Sequence, residues 1–327
     1  MGFILGVDQG STKTDAVICS LEGHIIGKAR TNGSCHAILG MKHAMDQVQA
    51  AAILAMQDAQ ITKDQLLLGY YGLTGADWPD EYPLLQRNIE QLGLTPKTIV
   101  NNDCWLSFRA GSISAYGLVV AYGTGPNAAG RSRTGDTYAF GYFADEGGAD
   151  WLITRMLKAV LWQEDGRGEP TRLTDAILTI AQTSNIETLL RVMVEKQLDR
   201  NIFRDLPRLL YDIAYEGDTA ALGIIREMAS SIARYALALA RRLNLIKVPF
   251  DLVLGGSLLK DPGRLLLASI NSQVLAVTPK ARVMQARYEP VVGAALYGLE
   301  ELGIELTSKI MDNVESSCNS LTLIRSN

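Results

Sequence analysis

The chain has 327 residues, of which 47% are hydrophobic, and a formal net charge of −4. This length predicts about two domains with full hydrophobic cores, and the acidic balance without a basic stripe excludes nucleic acid and anionic membranes as expected partners. No secretory leader and no apolar run long enough to span a membrane is visible, so we expect a cytoplasmic protein. The four cysteines form no C-x-x-C pair, which favours reduced thiols over a disulfide frame or a metal cluster.

The first predicted element is an apolar strand at residues 3–7, which runs directly into a small polar turn. A second apolar run at residues 16–18 makes this a predicted hairpin. The turn consists of Gly10, Ser11, Thr12 and Lys13. Backbone N–H groups and hydroxyls in such a turn can surround phosphate oxygens, although an ordinary Asp/Gly turn is the alternative. Asp8, at the end of the strand, could hold a magnesium ion, which prefers oxygen ligands.

The rest of the first half alternates strands and helices. The predicted elements are a strand at 25–29, a helix at 40–59, a strand at 66–73, a helix at 80–92, a strand at 98–102 and a helix at 105–110. Asp103 lies between the last two of these elements. A carboxylate at the C-terminal end of a sheet strand faces the crevice where ligands bind in α/β folds, so we predict that Asp103 is a catalytic base. A helix N-cap is the alternative, because Asp also favours that position.

A second copy of the hairpin begins at residue 117. The predicted strand at 117–122 leads into a turn of Gly123, Thr124 and Gly125, followed by Pro126 and Asn127. Strands at 128–132 and 137–140 follow, as in the first half. Two such turns can hold one polyphosphate from opposite sides, so the chain reads as two βββαβα units that face each other across a cleft.

The second half is longer than the first because of a helical insertion at about residues 151–216, within a helical region that ends near 243. A strand at 250–254 and a helix at 262–275 follow. We place the boundary near residues 112–117, which gives domains at 1–115 and 116–290. We expect the final helix, to about residue 303, to pack back on the first domain, and we expect the polar tail at 304–327 to be a surface extension.

Three further segments carry candidate binding residues. Asp145 and Glu146 follow a Gly-aromatic turn that contains Gly141; they could bind sugar hydroxyls or form a solvated helix cap. The strand at 250–254 ends in Gly255, Gly256 and Ser257, where glycine lets the backbone approach a flat ligand or simply makes a tight turn. His36, beside Ser34, opens a loop after the third strand and could equally be a plain surface histidine.

Together these residues resemble a known family. The motifs that carry the resemblance, in chain order, are Asp8-x-Gly10-x-Thr12-x-Thr14, Asp103, Gly123-Thr124-Gly125-x-Asn127, Asp145-Glu146-Gly147, Gly255-Gly256-Ser257 and Pro290-x-x-Gly293-Ala294-Ala295. They resemble the BadF/BadG-type ATPases, and within that group the N-acetylglucosamine kinases and related amino-sugar kinases. The resemblance covers residues 3–303 and implies two ribonuclease-H-like domains of the actin/hexokinase-like kind.

The resemblance also implies roles for individual residues. The turns at residues 10–13 and 123–125 would hold the phosphates of ATP, and Asp8 would organise Mg²⁺. Ala214 and residues 255–257 would line the adenosine side. Asp103 would be the base, and the sugar would contact Ser34, His36, Asn127, Gly141 and Asp145. The loop after the third strand reads Cys35-His36-Ala37, whereas the corresponding loop of the eukaryotic kinase resembles Asn-His-Trp. The resemblance therefore does not identify the sugar.

The function that the resemblance implies is an ATP-dependent kinase of an amino sugar, and we expect a homodimer. Two alternatives remain. An ATPase that activates a radical acyl-CoA dehydratase would need paired cysteines for an iron–sulfur cluster. A non-catalytic sugar-binding regulator would need a DNA-binding segment.

Overall fold

The computed structural model of the chain describes residues 2–195, 200–260 and 263–325. Part of the predicted insertion (196–199), the predicted start of one helix (262) and the end of the tail (326–327) lie outside the described residues. The described chain forms two five-stranded sheets with helices packed on them. The prediction of an α/β protein built from two repeated units is therefore confirmed.

The first sheet has the strand order β3-β2-β1-β4-β5. Its strands are β1 (Phe3–Gln9), β2 (Lys13–Ser20), β3 (Ile25–Asn32), β4 (Leu66–Leu73) and β5 (Thr98–Asn102). Strands β1 to β3 are antiparallel, whereas β4 and β5 run parallel to β1. All seven residues of the central strand β1 are buried, whereas buried and exposed residues alternate along the edge strand β3. The helices of this half are α1 (His36–Leu39), α2 (Met41–Asp58), α3 (Glu81–Gln91) and α4 (Asp103–Gly111).

The second sheet repeats this order and these directions as β8-β7-β6-β9-β10. Its strands are β6 (Gly117–Tyr122), β7 (Pro126–Arg131), β8 (Thr137–Ala139), β9 (Phe250–Gly255) and β10 (Ala281–Gln285). The helices are α5 (Gly148–Glu164), α6 (Leu173–Ala181), α7 (Ile186–Val194), α8 (Leu206–Tyr215), α9 (Thr219–Arg242) and α10 (Gly263–Val277). The sequence did not lead us to expect β10, the fifth strand.

Helix α11 (Pro290–Glu301) packs between the first sheet and α4, and small residues make this close approach possible. A Cβ atom added at Gly6 of β1 would lie 2.9 Å from the backbone nitrogen of Ala295, and one at Gly293 would lie 2.0 Å from the carbonyl oxygen of Leu106. The chain thus returns from the second half to the first, and α4 and α11 form the layer between the sheets.

The expectation that the tail is a plain surface extension was wrong. Residues of the tail form α12 (Ser308–Ser320), which packs on the outer edge of the first sheet. Val314 and Cys318 are fully buried there, and the Ser317 hydroxyl accepts a hydrogen bond from the backbone N–H of Ile25 at 3.0 Å. Among the described residues, no helix has the length and apolar character needed to cross a membrane.

Candidate active site

A cleft of about 470 Å³ lies between the two sheets, and both predicted phosphate turns border it. We call residues 10–13 the first turn and residues 123–125 the second turn. Thirteen of the predicted site residues line this cleft: Asp8, Gly10, Ser11, Thr12, Lys13, Asp103, Gly123, Thr124, Gly125, Asn127, Gly141, Gly256 and Ser257. Residues that are about 250 positions apart in sequence therefore share one cavity.

The first turn is closed by its own backbone. The N–H of Gly10 donates to the carbonyl of Lys13 at 2.9 Å, and the carbonyl of Gly10 accepts from the N–H of Ser34 at 3.0 Å. Ser11 and Thr12 stay exposed at its tip. Behind the turn, Gly33 approaches so closely that a Cβ atom there would lie 2.3 Å from the carbonyl carbon of Thr12. The turn therefore presents hydroxyls and backbone groups to the cleft on a fixed support.

The second turn is held by its neighbours and is open towards the cleft. The N–H of Ala149, at the start of α5, donates to the carbonyls of Gly123 and Thr124 at 2.9 and 3.1 Å. Around an added Cβ atom at Gly125, the described part of the chain places no heavy atom within 4 Å. A ligand oxygen can therefore approach this backbone without a steric conflict.

Asp103 is the first residue of α4, but it is not the N-cap. The N-cap is Asn102, whose side-chain oxygen accepts from the N–H of Cys104 at 2.9 Å. Asp103 is left to face the cleft, where burial and, after it, the carboxylates of Asp8 and Asp77 raise its pKa to about 8. Burial also raises the pKa of Asp8 to about 7, partly offset by Lys13. The floor of the cleft thus carries two acids with raised pKa values: Asp8, which lies near Lys13 and Arg325, and Asp103, which lies near the carboxylates of Asp8 and Asp77.

A polar network connects the two halves at one end of the cleft. Asn102 donates to Asp77 Oδ1 at 2.8 Å, and Asn127 of the second half donates to Asn102 Oδ1 at 3.2 Å and to Asp77 Oδ1 at 3.4 Å. Asn127 Oδ1 in turn accepts from the N–H of Gly141 at 3.1 Å. These amide and carboxylate groups offer the donors and acceptors that a polyhydroxylated ligand needs.

Ser34 and His36 lie behind the cleft wall rather than on it. The Ser34 hydroxyl is fully buried and accepts from Gln9 Nε2 at 2.9 Å. His36 Nε2 lies 3.7 Å from Glu81 Oε1, and its ring packs beneath Gly75, which does line the cleft. Both residues therefore support the cleft wall from behind and do not border the cavity.

Three other predicted residues also lie away from the cleft. Ala214 is buried in α8, within the core of the second half. Gly255 packs against α4, where a Cβ atom would lie 2.5 Å from that of Ser107. Asp145 is exposed and accepts from the Tyr235 hydroxyl at 3.2 Å.

Five charged residues of the cleft were not predicted from the sequence: Arg30, Asp77, Lys260, Glu289 and Arg325. Asp77 follows β4 just as Asp103 follows β5, so the strand-end argument could have found it. Glu289 immediately precedes the Pro290 motif and could have been noticed there. Lys260 and Arg325 lie in segments without a recognisable motif.

A family model described as the BadF/BadG/BcrA/BcrD ATPase family matches residues 5–298. The chain belongs to this family. The match spans both sheets, both turns and α11, and it confirms the resemblance derived from the motifs.

Individual relatives agree with this assignment. A glucosamine kinase from Vibrio cholerae serotype O1 is 22% identical over 245 residues, which cover 73% of this chain and 81% of the relative. A protein from Chromobacterium violaceum, provisionally named an N-acetylglucosamine kinase, superposes with a TM-score of 0.66 at 19% identity, over 90% of this chain and 98% of that one. A glucokinase of the ROK family from Streptomyces griseus, solved with glucose and AMPPNP, gives 0.61 at 18% identity, over 91% and 100%. These structures share the two-domain fold.

Proposed function

We propose that this protein is an ATP-dependent kinase that transfers the γ-phosphoryl group to a hydroxyl of an amino sugar. The observation that carries the proposal is Asp103, a half-buried carboxylate that does not cap the helix and that shares one cleft with two glycine turns. Phosphoryl transfer needs little more than this: phosphate positioning, charge neutralisation and an acceptor for the proton of the attacking hydroxyl.

In the proposed reaction, the two turns hold the polyphosphate between them, and Asn127 and Asp77 orient the sugar at the other end of the cleft. Asp103 accepts the proton of the sugar hydroxyl while the oxygen of that hydroxyl bonds to the γ-phosphorus. The bond between that phosphorus and the bridging oxygen breaks, and ADP leaves. Ser257 and Gly256, at the border of the cleft, are proposed to contact the nucleotide. Ala214, Gly255 and Asp145 do not line the cleft, and we assign them no direct contact with the nucleotide or the sugar.

The residues fit a magnesium ion. Mg²⁺ in kinases is usually held by one or two carboxylates together with waters and substrate phosphates. Burial is the largest cause of the raised pKa values of Asp8 and Asp103, with a smaller contribution from neighbouring carboxylates, and a divalent cation at this site would favour the ionised form of both groups. We propose that Asp8 holds the ion, through water or directly. When bound, the ion would neutralise charge on the transferred phosphoryl group.

The acidic end of the cleft favours an amino sugar with a free amine. Asp77 lies in the cleft, and Glu81 is held beside it by accepting from the N–H groups of Asp77 and Trp78 at 2.8 and 2.7 Å. A protonated amine would be attracted to these carboxylates, whereas an acetylated amine would not. The relative from Vibrio cholerae, a glucosamine kinase, supports this choice.

Other expectations stay as predictions: the cytoplasmic location and the homodimer.

The four cysteines, Cys19, Cys35, Cys104 and Cys318, are all buried and unpaired, which disfavours the dehydratase-activator alternative because that role needs cysteines at a subunit interface.

The proposal is tested by ADP release from ATP and Mg²⁺ over a panel of glucosamine, N-acetylglucosamine and glucose. We expect turnover with the amino sugars, highest with glucosamine. Asp103→Asn should lower kcat by about 10²–10⁴ while leaving the affinity for ATP and sugar nearly unchanged. Near wild-type turnover in that variant would refute the assignment of the base, and no turnover with any member of the panel would refute the sugar class.

A further inference from the structure

Arg325, in the segment that follows α12, lines the cleft. After α12, the tail turns back towards the connection between β10 and α11. The N–H of Glu289 donates to the carbonyl of Leu323 at 2.8 Å, and the N–H of Arg325 donates to the carbonyl of Arg287 at 2.9 Å. Tyr288 and Ile324 form an antiparallel bridge between these two hydrogen bonds. The backbone of residues 323–325 is therefore fixed on both sides of the bridge. The side chain of Arg325 lines the cleft.

The guanidinium group of Arg325 is buried with few partners. Its side chain is only 6% exposed. One terminal nitrogen donates to the carbonyl of Gly256 at 3.3 Å, and the other lies 3.9 Å from Glu289 Oε2. Nε has no hydrogen-bond partner among the described residues. A guanidinium group offers five N–H donors, and burying it with most of them unused is costly.

The neighbouring charges make the site more positive. Glu289 accepts a hydrogen bond from Lys260 at 2.8 Å and lies 3.7 Å from Lys13. Lys13 is also 2.7 Å from Asp15, which pairs in addition with Arg30. Among the described side chains, Glu289 is thus shared by three cations: Lys13, Lys260 and Arg325. Asp15, which pairs with Lys13 and Arg30, and Asp8, which acts on Arg325, bring the count to three carboxylates against four cations, and an anion in the cleft would balance the difference.

The position of this positive group identifies the anion. Lys13 belongs to the first turn, and Gly256, which accepts the hydrogen bond from Arg325, packs against Tyr122 directly before the second turn. We propose that Arg325 binds the polyphosphate chain of the nucleotide, so that the C-terminal tail supplies a phosphate-binding guanidinium group to the cleft. This inference rests on the proposed function. The planar fork of arginine suits such bidentate contacts with phosphate oxygens.

Calorimetric titration of the full chain with ATP and with AMP, both in the presence of Mg²⁺, tests the inference without any turnover. For Arg325→Gln we expect ATP affinity to fall about 10- to 100-fold, which is the range of a charge-assisted hydrogen bond. AMP affinity should stay the same, because AMP lacks the polyphosphate chain. Arg325→Lys, which keeps the charge but not the fork, should give an intermediate loss.

Arg282→Gln is the matched control. Arg282 is an exposed arginine of β10 that pairs with Asp251 outside the cleft, so its loss should leave both affinities unchanged. Unchanged ATP affinity in Arg325→Gln, or an equal loss for ATP and AMP in both Arg325 variants, would overturn the role of Arg325 while leaving the proposed function intact. Absence of ATP binding by the wild-type protein would overturn the proposed function and this inference together.

Discussion

Asp103 shows how one neighbouring residue decides the role of another. Asn and Asp are nearly equal as N-caps, so the sequence Asn102-Asp103 does not indicate which of the two caps α4. In the structure Asn102 takes the cap and also donates to Asp77 and Ala76. Asp103 is consequently left half-buried in the cleft, near the carboxylates of Asp8 and Asp77. Its raised pKa has a consequence for stability that can be measured.

Replacing Asp103 with Asn should stabilise the ligand-free protein at high pH. The pKa of Asp103 is about 8 in the folded state and 3.8 as a free side chain, so folding favours its protonated form. Stability from this group is therefore greatest below pH 4, declines as the pH rises towards 8 and then stays constant. We expect Asp103→Asn to raise Tm by a few degrees at pH 8.5 in EDTA, and by much less at pH 5.

Asp136→Asn is the control for this measurement. Asp136 is exposed, and hydrogen bonds from the hydroxyls of Thr134 and Ser132 lower its pKa, so its replacement should bring no gain at any pH. A pH-independent change of Tm in Asp103→Asn would contradict the raised pKa.

His36 should act on sugar selectivity through its neighbours. It lies beneath Gly75 and beside Glu81, and Glu81 fixes the backbone of Asp77 in the cleft. We expect His36→Ala to change the relative kcat/KM among amino sugars and to leave ATP affinity unchanged. His43→Ala, on the exposed side of α2, should change neither. If the ranking of sugars is the same in both variants, His36 is only a packing residue.

Among the elements, the paired hairpins could be predicted and the edges of the fold could not. Both glycine turns follow buried strands, and this repetition made the architecture readable from the sequence. β10 is a short edge strand without a fully buried residue, so it lacks the apolar run that identifies β9. Helix α12 fully buries only Val314 and Cys318, four residues apart, with Ile310 and Met311 partly buried, and so short an apolar pattern does not distinguish this helix from a surface extension.

The turn after β9 depends on a glycine with a left-handed backbone. Gly256 has a φ of +83°, and an added Cβ atom would lie 2.2 Å from the carbonyl oxygen of Tyr122. We therefore expect Gly256→Ala to destabilise the protein by at least about 1–3 kcal/mol and to impair nucleotide binding. Gly223, inside α9, has open space around its Cα, and Gly223→Ala should instead stabilise the helix by about 1 kcal/mol. Urea unfolding of both variants distinguishes these effects, and equal stability would refute the strain at Gly256.

On the scale of the whole molecule, the two halves touch at the sugar end of the cleft through weak contacts. Trp78 of the first half stacks on Tyr142 of the second, with ring centroids 5.2 Å apart, and the Tyr142 hydroxyl donates to Glu81 at 3.3 Å. Both aromatic residues are about half exposed. Asn127 also donates hydrogen bonds to Asn102 and Asp77 across the cleft. Together these few contacts form a bridge between the two halves. The bridge can therefore open without loss of either core.

We predict that this bridge opens in the ligand-free protein and closes on substrate. A ligand must enter a cleft whose sugar end is bridged, and the two turns can hold one polyphosphate tightly only when the halves approach each other. Small-angle scattering should give a smaller radius of gyration with glucosamine and a non-hydrolysable ATP analogue together than without ligands. Trp78→Ala removes the stacking on Tyr142 at this bridge. The substitution should reduce the compaction and raise KM for the sugar. If the radius of gyration of the wild-type protein is the same in both states, the two halves form a fixed cleft, and substrate must enter from the side of the turns.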